Sequence, residues 1–156
     1  MKIINDFNTS VEKALWEIDE RYREYQGLVI CGTHTPKQTE EMIDMIRIAR
    51  EEKIPFLGVC FGHQLAYIEY CRNVLGIKDA TSQEFGEGTL VVKKRENLKV
   101  GLHDGETWWN NYEIDEGERE WKKPDYFITC QYHPEYQSSK DKPHPLLVKF
   151  IELCKK

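Results

Sequence analysis

No apolar run in this chain approaches the ~20 residues that a helix needs to cross a bilayer. Met1-Lys2-Ile3-Ile4-Asn5 does not open a secretory leader. Membrane insertion and export are therefore not expected. Paired cysteines are missing too: there are five, an odd number, with no C-x-x-C among them, which argues against a disulfide scaffold and a zinc ribbon. A reducing cytoplasm fits, and would keep each thiol free. Positive charge is not in surplus. With 22 Lys and Arg against 27 Asp and Glu, the net charge of −5 points away from nucleic acid or anionic membrane as the main partner. Internal repeats and low-complexity tracts are absent, and only 137–142 reads as a polar surface loop. No G-x-x-x-x-G-K-[ST] occurs, so no P-loop nucleotide site is expected. His34 and His63 find no third ligand at a suitable spacing, so neither a metal nor another cofactor is expected. The 156 residues suffice for a single domain, 1–156, with a real core.

What is present centres on Gly58-Val59-Cys60-Phe61-Gly62. It follows the apolar run Ile54-Pro55-Phe56-Leu57 and precedes the helix-like Gln64-Leu65-Ala66-Tyr67-Ile68-Glu69. A cysteine between glycines at a strand-to-helix junction is how an α/β protein presents a nucleophile. The glycines permit a sharp turn and close packing. The helix start aims its N–H groups at the sulfur and favours the thiolate.

A second segment makes the first specific. Tyr126-Phe127-Ile128-Thr129-Cys130 reads as a buried strand running into Gln131-Tyr132-His133-Pro134-Glu135. A histidine followed two residues later by a glutamate can complete a triad: His133 takes the Cys60 proton, and Glu135 fixes the tautomer of His133. The competing readings, a buried structural thiol and a core histidine, are disfavoured because the two segments agree independently.

The rest of the chain supports repeated β-α-β units and hence a mostly parallel sheet covered on both faces. Met1 to Ile4 is a short strand. Thr9-Ser10-Val11-Glu12 has the pattern of a capping box, with Val11, Leu15, Ile18 and Tyr22 at helical spacing and Gly27 as the stop. Leu28-Val29-Ile30-Cys31 is a buried strand, and Pro36 stands at a first helical position. Strand 55–59, the Cys60 turn and helix 61–73 follow. From Thr89 to Ile114 the pattern gives short antiparallel strands with turns at Glu96-Asn97 and Asp104-Gly105, and Leu146 to Cys154 forms a closing helix.

Gly58-Val59-Cys60-Phe61-Gly62-His63-Gln64 together with His133-Pro134-Glu135 resembles the class I (triad) glutamine amidotransferases, nearest to the glutaminase domain of CTP synthase. The segments 49–60, 72–85, 130–136 and 144–147 carry the same likeness, which is weak from about Gly86 to Lys123. The resemblance implies a three-layer, flavodoxin-like α/β fold with a small antiparallel sheet beside the main one, shortened at its N-terminus. It implies hydrolysis of the glutamine side-chain amide through a glutamyl thioester. Phe61 and the loop Gly32-Thr33 would supply the oxyanion N–H donors, worth roughly 3–4 kcal/mol each. Gln64, Glu84, Tyr132 and His34 would surround the substrate, with Glu84 receiving the α-ammonium. On the residues alone, Glu84 reads equally as a solvated loop acid and Gln64 as a polar helix start.

Two departures stand out. The family's G-G-F-G loop is Gly32-Thr33-His34-Thr35 here, and Asn111 stands before Tyr112-Glu113 where the family has an arginine for the substrate carboxylate. A related amide or γ-glutamyl compound is therefore the alternative substrate, and a catalytically silent regulatory module the alternative role. The implied partners are a small-molecule amide and a separate synthetase subunit that takes the ammonia. The short N-terminus also leaves a sheet edge that a second copy would cover, giving a homodimer.

Overall fold

The computed structural model describes residues 1–115 and 117–156. Four parallel strands form the main sheet: β1 (Lys2–Ile4), β2 (Leu28–Ile30), β3 (Phe56–Val59) and the last strand of the chain, β7 (Phe127–Cys130), side by side in that order. Three further strands form a second sheet. In it β4 (Ala80–Ser82) pairs parallel with β5 (Thr89–His103), and β5 pairs antiparallel with β6 (Glu106–Ile114). The small sheet is thus mixed where an antiparallel one was expected, because β4 joins it in the parallel sense.

Side chains alternate across the main sheet. Val29, Leu57, Val59 and Ile128 face α1 (Asn8–Ile18) and the C-terminal helix α4 (Pro145–Lys155). Leu28, Ile30, Phe56 and Phe127 face α2 (Thr39–Glu52) and α3 (Phe61–Asn73). This gives the three layers. The connections β1-α1-β2 and β2-α2-β3 step the same way across the sheet, yet their helices lie on opposite faces, so the two crossovers have opposite hands. Since α2 and α3 share a face and right-handed crossovers are the rule, β1-α1-β2 is the exception. The connection from α1 back to β2 contains only a short 3-10 turn, Tyr22–Glu24.

Several local expectations shift. α1 starts at Asn8 behind Phe7, and Thr9 hydrogen-bonds Asn8 instead of capping the helix. α1 stops at Ile18, well before Gly27, and Tyr22 belongs to the 3-10 turn. α2 starts at Thr39, because Gln38 takes a left-handed conformation (φ 56°) that breaks the path from Pro36. The Glu96-Asn97 turn is instead a bulge inside the continuous β5. The register passes from Lys94 opposite Tyr112 to Lys99 opposite Asn110, so 95–98 bulge across from Asn111. The expected reversal at Asp104-Gly105 does join β5 to β6. α4 gains a cap that the sequence did not announce: the His144 ring accepts a hydrogen bond from Leu146 N–H at 3.2 Å. No helix among the described residues is long and apolar enough to cross a membrane.

Candidate active site

Strands β2, β3 and β7 are parallel, so their carboxyl ends lie together and the loops that leave them meet. From β3 the chain turns into α3 through Cys60, whose backbone sits at φ 56°, ψ −100°. A non-glycine residue at positive φ is strained, and it persists where its surroundings fix it. Here Cys60 N–H is held by the Cys130 carbonyl of β7 at 2.9 Å, and Cys60 C=O accepts from Gln64 N–H at 3.2 Å. Close approach explains both flanking glycines. A Cβ on Gly58 would stand 2.8 Å from the Gly62 carbonyl carbon, and one on Gly62 only 2.1 Å from the Ile30 carbonyl oxygen. The first-turn N–H groups of α3, Phe61 among them, have no intrahelical acceptor and lie just after the sulfur-bearing residue.

From β7 comes His133. Its ring is fully buried, and Nδ1 is 2.7 Å from Glu135 Oε1, itself fully buried. His133 N–H donates to the Thr107 carbonyl of β6, which ties this segment to the second sheet. Burial alone would push the His133 pKa down. The sulfur of Cys60 and the carboxylate of Glu135 outweigh it and hold the ring at about 9. His133 Nε2 is buried yet makes no hydrogen bond of regular geometry, so the Cys60–His133 approach is close enough to matter electrostatically but loose. Such looseness is common before substrate arrives.

The sulfur has other neighbours that the sequence reading missed. Gln131 Nε2 reaches Cys60 Sγ at 3.5 Å and Asn110 Oδ1 at 2.9 Å, so its two N–H bonds serve both. Cys60 Sγ also lies 3.7 Å from Asn110 Oδ1. Gln131 stood two residues before His133 in the motif itself, whereas nothing local marked Asn110, which reaches the site only through the β5-β6 register.

From β2 comes the loop 32–35. A Cβ on Gly32 would stand 3.0 Å from both His133 Cε1 and Phe7 Cδ2, so this glycine lets the loop lie against the imidazole. Asp6 anchors the loop: Thr33 Oγ1 donates to Asp6 Oδ2 at 2.6 Å and Thr35 Oγ1 at 3.3 Å. The hydrogen bond from Thr33, above all, holds the Asp6 carboxyl below its usual range. Phe7 packs edge-on against both His34 and His133, with centroids 5.4 and 5.5 Å away.

These loops enclose a cavity of about 260 Å³, lined among others by Cys60, His133, Phe61, Gln64, Glu84, Thr33 and His34. Phe7, Trp109, Asn111 and Tyr112 complete the wall. Gln64 Nε2 is fixed to the Tyr112 carbonyl at 3.0 Å, leaving its buried Oε1 without a partner. Tyr132 lies elsewhere, its ring tilted against those of Trp108 and His144. Glu84 is half-buried, and burial pushes its carboxyl up to about 7. His63 does not join the cavity. It is buried against Trp121 with Thr129 Oγ1 3.0 Å from its ring, and burial lowers its pKa to about 3. Among the described residues no cluster of His, Cys, Asp and Glu is arranged to hold a metal.

Known proteins resemble this chain in sequence and in fold. The family model described as "Glutamine amidotransferase class-I" matches residues 4–116, a span that includes the Cys60 turn and ends before His133. CTP synthase of Methanoculleus marisnigri is 34% identical over 179 residues, covering 83% of this chain and 34% of that protein. CTP synthase of Methanospirillum hungatei is 32% identical, covering 86% of this chain and 35% of the relative. The chain thus spans about a third of the length of the curated relatives it matches. In fold, it is similar to the glutaminase domain of Trypanosoma brucei CTPS, solved with bound acivicin: TM-score 0.79, 19% identity, 98% of this chain and 92% of that one covered. With the family model covering most of the chain and the same fold recovered independently, the chain belongs to the class I glutamine amidotransferases.

Proposed function

We propose that the chain is a stand-alone amidohydrolase, one domain over 1–156, that cleaves the side-chain amide of glutamine to glutamate and ammonia. Cys60 is the nucleophile, His133 the proton carrier and Glu135 its orienting partner. The observation that carries the reading is the sharing of one cavity by the strained Cys60 turn and by a buried His133 clamped 2.7 Å from Glu135.

The Cys60 thiolate, its proton on His133, attacks the amide carbon. The carbonyl oxygen becomes an oxyanion, received by Phe61 N–H and a donor from the Gly32-Thr33 loop. His133 gives its proton to the leaving nitrogen, ammonia departs, and a glutamyl thioester remains. Water then enters. His133 takes a proton from it, the resulting hydroxide attacks the thioester carbon, and glutamate leaves as the thiolate is restored. Gln64 Oε1, unpartnered and buried, is available to a donor on the substrate, and Glu84 to its ammonium. Since the relatives are CTP synthases about three times as long as the matched segment, the ammonia is proposed to pass to a synthetase partner.

The test is an electrophilic glutamine analogue with adduct mapping by mass spectrometry and Cys60→Ala as control. Selective labelling of Cys60 that excess substrate blocks is the expected result. Labelling that ignores Cys60, or a Cys60→Ala protein with full activity, overturns the reading.

A further inference from the structure

The cavity beside Cys60 contains one carboxylate and no cationic side chain of the lysine or arginine type. Glu84 is that carboxylate. Among the described residues it has no ion-pair partner and accepts no hydrogen bond, and burial is the sole influence on its proton affinity. Asn111, which lines the same cavity from β6, is neutral and exposed. Of the β5 cations, Lys93 and Lys94 do not line the cavity, and two others are engaged elsewhere. Arg95 pairs with Glu113, and Lys99 Nζ lies 3.9 Å from the centroid of the Trp108 ring. His34, at the exposed side of the lining, packs edge-on against Phe7.

Charge counting then separates two kinds of ligand. An ammonium group beside Glu84 neutralises the unpaired carboxylate. A carboxylate on the same ligand brings a new negative charge into the same small space and finds no lysine or arginine there, while the His133 ring is already committed to Glu135 and the Cys60 sulfur. Desolvating an unpaired charge is costly, whereas a neutral amide in its place needs only hydrogen bonds. Asn111 can supply those, because its side-chain amide both donates and accepts.

We propose that the site recognises the side-chain amide and the α-amine of a glutamine unit but does not anchor its α-carboxylate. Glutamine units whose carboxyl is masked as an amide, including an amino-terminal glutamine of a peptide, are then substrates in their own right. This inference rests on the reading of Cys60 as an amide-cleaving nucleophile.

The experiment compares L-glutamine with L-glutamine α-methylamide, whose only ammonia-yielding amide is the side chain. Ammonia release is measured with the full chain, and the Cys60→Ala protein supplies the background of spontaneous cyclisation. The expected kcat/KM for the methylamide is at least that of free glutamine. A value below that of free glutamine overturns the proposal while leaving the amidohydrolase reading intact. If neither compound yields ammonia above background and Cys60 resists the electrophilic analogue, the amidohydrolase reading falls and this one with it. Asn111→Arg provides an independent arm. It places the missing cation at the exposed end of the cavity and is expected to shift the ratio toward free glutamine by tenfold or more. An unchanged ratio in a variant that melts like the wild type counts against the proposal.

Discussion

Gly62→Ala sets two effects of opposite sign against each other. Inside a helix such as α3, exchanging glycine for alanine ordinarily stabilises by about 1 kcal/mol. At this position, however, the new Cβ would stand 2.1 Å from the Ile30 carbonyl oxygen and 2.9 Å from its carbonyl carbon. Carbon and a carbonyl oxygen in contact keep roughly 3.3 Å even when they attract. The overlap is with backbone, so no side chain can rotate away. Overfilling a packed interior costs about 1–3 kcal/mol and occasionally more, and a conflict with a strand belongs at the upper end. A net loss of about 2 kcal/mol is expected, lowering the melting temperature by about 4–8 °C in a domain of this size. Relief comes only if the first turn of α3 moves off β2, and that movement carries Cys60 and the Phe61 N–H with it. A displacement near 1 Å at a reacting group costs about 100-fold in rate. Thermal unfolding by circular dichroism and the labelling rate of Cys60 by the electrophilic analogue read the two consequences. A Gly62→Ala protein that melts no lower than wild type and labels at its rate would refute the claim that this close approach sets the nucleophile.

The buried pair gives a charge test. Glu135→Gln keeps the shape but removes the carboxylate from His133, and kcat is expected to fall by about 10⁴, as when the acid of a serine triad becomes its amide. A loss under tenfold would remove Glu135 from the mechanism. The His133 pKa of about 9 lies above its ordinary 6.5, so the folded state holds this proton more tightly than the unfolded chain does. That stabilisation is complete below the ordinary value and is lost as pH rises through about 9. Wild type should lose melting temperature across this window more steeply than His133→Gln, and parallel curves would contradict the assignment. Glu84 gives the opposite kind of contribution. Its pKa is raised from 4.5 to about 7, so ionising it in the folded protein is a penalty absent at low pH and full above 7. Glu84→Gln should therefore melt above wild type at alkaline pH and match it in acid. It should also lose kcat/KM for glutamine by tenfold or more while sparing glutaramate, which lacks the amine. In the seam between α2 and α3, Glu69 is 1% exposed and accepts two hydrogen bonds from Arg50 at 2.7 and 3.0 Å. Glu69→Ala strands the guanidinium and should cost about 3 kcal/mol in urea unfolding. An Arg50→Met, Glu69→Leu double variant should recover most of it.

The nucleophile turn was legible because every cue for it is local. The glycines, the apolar strand and the helix start lie within a dozen residues, and each acts on its immediate neighbours. The walls of the cavity were legible only in part. Thr33, His34, Gln64 and Glu84 line it with Cys60, but Phe7 and Asn110 are brought to the site by the chain before α1 and by the pairing of β5 with β6. No spacing rule within one segment reports on such neighbours. Glu96-Asn97 shows the same limit in the backbone. Its turn chemistry is real, but a turn and a bulge use similar residues, and only the partner strand decides between them. The start of α1 moved for a tertiary reason as well. Phe7 N–H bonds to the Gly32 carbonyl at 3.3 Å and its ring lies against His133, so the chain before α1 is fixed by the site and not by a local cap.

The exceptional hand of β1-α1-β2 follows from the same coupling. A regular right-handed unit that leaves β1 with α1 on its observed face leads to a strand on the outer side of β1. Here the chain turns back after Tyr22–Glu24 and enters β2 on the inner side, so α1 keeps its place while β1 remains the outermost strand of the sheet. The alignment with the Methanoculleus marisnigri relative runs over 179 positions but uses only 83% of these 156 residues, so the relative carries segments within the matched range that this chain lacks. Yet α1 cannot be given up. It packs Val11, Ala14 and Leu15 against Val29, Leu57 and α4, and the residue preceding it, Phe7, forms a wall of the cavity. Asp6, one residue earlier, holds the loop that faces His133. The chain before β2 thus reaches the site through Asp6 and Phe7, and the irregular crossover lets α1 pack on this face while β2 enters beside β1.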